Sequence, residues 1–126
     1  MAIGRIAKGT ASGTNSTGVG ITLASALSIS AGSTLVVMLR YDNTTAGTSV
    51  LPDGMAWNGH ALAVPSGGGN GRGQTWLLQN ATAGTGDLIL DDSSAGILDS
   101  WEAIITEVTG CATESLDKGK SATGSG

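Results

Sequence analysis

Residues 74–92, QTWLLQNATAGTGDLILDD, carry the reading from which the rest of the chain is parsed. Residues 74–80 and 87–91 are rich in strand-forming side chains, and a short Ala/Thr/Gly connection separates them. In the second run Leu88 and Leu90 fall on one face while Asp87, Ile89 and Asp91 fall on the other. A period of two is the signature of a strand with one buried side. Gly84 and Gly86 are expected to supply the positive φ of a chain reversal. The stretch is therefore a hairpin, or a pair of strands crossing between two sheets. Its grammar is short strand, Gly/Ser/Thr turn, short strand.

The same grammar runs outward in both directions. Residues 34–41, TLVVMLRY, form the most hydrophobic run. Leu35, Val37, Leu39 and Tyr41 share one face, and Val36 and Met38 make the other apolar too. Such a strand is expected in the centre of a sheet, covered on both sides. Residues 19–30 hold two short alternating pieces, one with Val19, Ile21 and Leu23, the other with Leu27 and Ile29. Trp57-Asn58-Gly59-His60 holds an Asn-Gly pair, the strongest short hairpin signal in the chain. Pro52, Asp53 and Gly54 break residues 50–57 into an irregular edge or bulged strand. Residues 101–108, WEAIITEV, put Trp101, Ala103 and Ile105 on one face, with Glu102, Ile104, Thr106 and Val108 on a mixed second one. Their β-branched content argues against a helix.

Weaker signals flank this core. Residues 2–8 have only Ile3 and Ile6 as large apolar side chains and are expected as an edge strand or as an arm that orders against a neighbour, and residues 10–18 read as a connector. Residues 1–17 are therefore expected to be an arm and linker, residues 18–109 the folded domain, and residues 110–126 a Ser/Gly-rich tail. About seven or eight short strands with no helical period define an all-β chain, an antiparallel β-sandwich of jelly-roll-like kind.

Composition narrows the functional classes. The 126 residues make one domain's worth of chain, with six basic and ten acidic residues and a net charge of −4. Nucleic-acid binding needs clustered Lys and Arg, and here the few cations are scattered. No run reaches the ~18 apolar residues of a membrane helix. The N-terminal residues lack the apolar segment of a secretory signal, so synthesis in the cytoplasm is the expectation. Cys111 is the single cysteine, which leaves no intrachain disulfide.

Chemical motifs are sparse. His60, the one histidine, follows a turn and is expected to face solvent, with no nucleophile-elbow motif to suggest a triad. Asp87, Asp91, Asp92 and Asp99, with Glu102 nearby, are weak candidates for a Ca²⁺ site because hard oxygens on one turn can converge on a cation. A solvated acidic turn is the plainer explanation. A glycosidase carboxylate pair drawn from the same residues lacks the aromatics of a sugar cleft. Trp57, Trp76 and Trp101 suit core packing better than stacking platforms. No enzyme and no cofactor is expected.

Residues 26–39 (ALSISAGSTLVVML), the Trp57-Asn58-Gly59 turn, the Trp76-Leu77-Leu78 strand, the Ala83-Gly84-Thr85-Gly86 loop and the closing strand at Thr109-Gly110 occur in an order that resembles a loosely defined set of β-sandwich domains. Such domains are found in phage structural proteins, both capsid-decorating and tail-associated. The resemblance covers residues 19–110 and implies fold and a structural role, with no functional residues carried over. Domains of that kind continue past the position of Gly110, so either further chain or another subunit is expected to fill an open edge. The expected function is a non-enzymatic virion protein that decorates or cements a capsid or forms part of a tail. Its partners would be copies of itself and other virion proteins, met through Ile3, Ile6, Val36, Met38 and Leu116. The alternative is a carbohydrate-binding adhesion module.

Overall fold

The computed structural model describes residues 3–17, 20–42, 54–64, 73–91 and 97–110. They form eight strands: β1 (Gly4–Thr17), β2 (Ile21–Ile29), β3 (Thr34–Asp42), β4 (Gly54–Trp57), β5 (His60–Ala61), β6 (Gly73–Leu78), β7 (Gly84–Asp91) and β8 (Ile97–Thr109). One four-stranded sheet has the order β1-β8-β3-β6, the other β2-β7-β4-β5. Every pairing is antiparallel. The first strand pairs with the eighth, the second with the seventh, the third with the sixth and the fourth with the fifth. That nesting is a long hairpin rolled on itself, the jelly roll.

The alternating patterns fold as expected. Leu35, Val37, Leu39 and Tyr41 of β3, Leu88 and Leu90 of β7, and Trp101, Ala103 and Ile105 of β8 are all buried between the sheets. Leu23, Leu27 and Ile29 of β2 and Met55 and Trp57 of β4 close the core from the other side. The Asn-Gly turn joins β4 to β5 with φ of 47° at Asn58 and 77° at Gly59. Positive φ at both central residues is the type I′ requirement.

Several elements differ from the sequence expectation. The edge-strand alternative for residues 2–8 holds, but the strand does not stop at the expected connector: β1 runs 14 residues, paired with β8 along its length, from Gly4 opposite Thr109 to Thr17 opposite Ile97. Gly, Ser and Thr hide this strand because they carry no hydrophobic period; its partner supplies the order. β8 starts at Ile97, four residues ahead of the alternating run at 101–108, and runs 13 residues. The opening stretch resolves to its second alternative: β6 lies in the first sheet and β7 in the second. Gly84 and Gly86 do not take positive φ. The reversal instead uses Asn80, with φ of 51°, a conformation that Asn tolerates. Gly86 serves a different need. A Cβ there would lie 2.6 Å from Asn58 Cβ and Oδ1, so its hydrogen makes room for the turn side chain.

The two pieces expected within residues 19–30 are one strand, β2, whose register shifts twice, between Thr22 and Ala24 and between Ala24 and Leu27. β4 is interior rather than an edge, since β7 and β5 flank it. β3 is central, between β8 and β6, but among the described residues a second sheet covers only one of its faces, and Met38 on the other is 45% exposed. Beyond β5 the chain passes from one sheet to the other. Leu62 N–H donates to Met55 O at 2.8 Å in the second sheet, and Ala63 exchanges 2.8 Å hydrogen bonds with Leu77 in the first.

Candidate functional site

β3 and β8 lie side by side, and their residues in step with Val36 and Met38 face away from the core. Val36 is paired with Thr106, Met38 with Ile104 and Arg40 with Glu102. Across β6 the same rows continue to Leu77 and Thr75; across β1 they reach Ala7, Thr10 and Ser12. Cross-strand partners share a face and touch. The outer face of the first sheet therefore presents an apolar band of Val36, Leu77, Met38 and Ile104. Met38 is 45% exposed and Ile104 44%. Arg40 Nη1 lies 3.4 Å from Glu102 Oε1 beside the band, with both side chains in solvent. An exposed pair of this kind contributes little to stability. It leaves the band framed by one charge of each sign. Past this pair a hollow of ≈ 390 Å³ continues between Ser12, Thr14 and Ser100.

Of the residues expected at an interface, Val36 and Met38 lie together in this band. Ile104 completes it; the sequence placed it on a mixed face, where Glu102 and Thr106 masked its significance. Ile3 is exposed ahead of β1. Ile6 is exposed too, at 44%, but it pairs with Glu107, which stands opposite Leu35, so on the edge strand it lies on the opposite side of the sheet from the band. Leu116 lies outside the described residues.

The aspartates do not gather. Asp87 and Asp91 are on β7 and Asp99 is on β8, strands of different sheets; Asp92 lies outside the described residues. Asp87 Oδ1 is taken by the backbone N–H of Ala26 at 3.0 Å, where it fixes an Ala with φ of 51°. Among the described residues no group of three potential metal ligands forms. His60 is exposed, its ring stacked over Trp57 with centroids 6.2 Å apart. Trp57, Trp76 and Trp101 are all core residues, and Trp57 Nε1–H donates to Leu27 O at 3.0 Å. The outer face of the second sheet holds an open groove of ≈ 570 Å³, floored by Gly54, Ala56 and Ala61 beside Ile89.

Among the described residues one charged group is deeply buried. Glu107 is fully enclosed, its Oε1 accepting from Ser30 N–H at 2.8 Å and its Oε2 2.8 Å from Lys8 Nζ. Burial pushes its carboxyl upward, but Lys8, the Ser30 amide and the Ser33 hydroxyl together outweigh that and hold it down at about 2, against an ordinary 4.5. A carboxylate so held stays ionised at neutral pH and is no proton donor there. Its effect is structural: it ties β1, β8 and the turn between β2 and β3 to one point. No helix among the described residues is long and apolar enough to cross a membrane. Comparison with family models, with curated proteins and with solved structures finds no match.

Proposed function

We propose that this chain is a non-enzymatic structural protein of a phage virion, decorating or cementing the capsid or forming part of the tail, and that it docks through the outer face of its first sheet. The observation that carries the reading is the band of Val36, Met38, Ile104 and Leu77, an apolar surface in cross-strand register that exposes Met38 and Ile104 beside half-buried Val36 and Leu77. Contiguous exposed apolar surface of this kind marks interaction sites. The jelly roll is a common virion architecture, which is an argument by analogy of fold. A sugar-binding role would draw on exposed aromatic platforms, and burial of Trp57, Trp76 and Trp101 favours the structural reading over it.

The test uses purified particles of the phage that encodes the chain. The protein should travel with them through a density gradient. Met38→Lys combined with Ile104→Glu should abolish that association while circular dichroism and thermal unfolding stay close to those of the parent. Absence of the parent chain from the particles, or undiminished association of the double variant, would overturn the proposal.

A further inference from the structure

We infer that β1 is the strand along which two copies of this chain join, antiparallel about a two-fold axis. The four edges of the sandwich differ in how they are protected. β5 is only two residues long. β2 breaks register twice. β6 is bridged at Leu77 by Ala63. β1 runs 14 residues, and its single irregularity is the bulge at Lys8, between Ala7 and Gly9. Open edges are normally blunted by short length, bulges, proline or charge. Residues 9–17, GTASGTNST, contain no proline and no charge. The cation best placed to guard them is turned away, its ammonium 2.8 Å from the buried Glu107. Every second residue of that segment points its N–H and C=O away from β8, and among the described residues no strand pairs there.

The occupant follows from the same composition. A foreign strand that adds to an edge is selected by pockets for its alternating side chains. Gly, Thr, Ala, Ser and Asn give such pockets little to grip: even in the hollow beside this segment, β1 contributes only Ser12, Gly13 and Thr14. A second copy needs none: it brings an identical, uncharged strand, so no like charges meet across the pair. An axis perpendicular to the sheet keeps both outer faces on the same side. The joined sheet then runs β6-β3-β8-β1-β1-β8-β3-β6, and the two Met38–Ile104 bands become one larger docking surface. That use of the dimer rests on the docking reading above; the pairing itself does not.

The experiment is sedimentation equilibrium of the full chain from micromolar to millimolar concentration, with amide hydrogen exchange followed residue by residue. A monomer–dimer equilibrium is expected, with protection at alternate residues of 9–17 that grows with concentration. Ser12→Lys with Thr14→Lys, both exposed positions, should weaken the dimer by about tenfold or more through like-charge repulsion and leave monomer unfolding unchanged. A chain that stays monomeric at millimolar concentration overturns the inference. So does a dimer whose β1 amides exchange as in the monomer, or protection of 9–17 independent of concentration, which would mean the chain covers its own edge. The gradient assay on particles reads the other question. A dimer that ignores particles sinks the docking proposal alone, and a monomer that binds them sinks this inference alone.

Discussion

Glu107 shows how one residue can be visible in a sequence and still be passed over. It stands two residues past Ile105, in step with Trp101 and Ala103, so the alternation itself points its carboxylate into the core. What the pattern does not carry is the partner, because Lys8 sits almost a hundred residues away in sequence. The pair has a measurable consequence. A carboxyl held at about 2 rather than 4.5 adds stability that is fully present above pH 4.5 and disappears as pH falls towards 2, up to about 3 kcal/mol. Denaturant titrations across that acid range should show the loss in the parent. Glu107→Gln should flatten that part of the profile and cost about 2–3 kcal/mol at neutral pH, since Lys8 is then left part-buried without its counter-charge. An unchanged acid profile in the variant would refute the assignment. The aspartates teach the reverse lesson. Their closeness in sequence suggested convergence, yet Asp87 and Asp99 stand on β7 and β8, strands of different sheets.

At the scale of elements, legibility tracks side-chain chemistry. β3, β7 and β8 announce themselves because large aliphatic residues alternate, and the β4–β5 turn because Asn-Gly fits two positive φ values. β1 stays hidden since its residues are small and polar, and β2 is split in appearance because bulges interrupt its period. The face of β3 that holds Val36 and Met38 looked like a second buried side. An apolar face is equally consistent with a covering sheet and with an absent partner, and the sequence cannot separate the two. Substitution can. Leu88→Ala, at a fully buried site, should cost about 2–5 kcal/mol in chemical denaturation. Ile104→Glu on the outer face should stay within about 0.5 kcal/mol of the parent. A large loss from the second would mean that this face is already packed.

For the whole molecule, the nesting of strands makes the fold depend on its most distant parts. The sequence suggested that residues 18–109 suffice; the pairing of β1 with β8 says otherwise. A chain lacking residues 1–17 would leave β8 as an edge and bury Glu107 without Lys8, and it should lose its cooperative thermal transition by calorimetry. A sharp transition within a few degrees of the parent would show that the shorter unit is self-sufficient. Folding should be slow for the size, on the order of milliseconds to seconds, because the outermost strand pair closes the longest loop. The same pairing decides how the molecule answers a pull. Gly4 faces Thr109, so tension applied through the two chain ends would act across the ladder at one corner. Its rungs would then part in succession, as in a zipper, and the subunit would yield at low force. Loads borne through the sheet face would instead have to shear many bonds together.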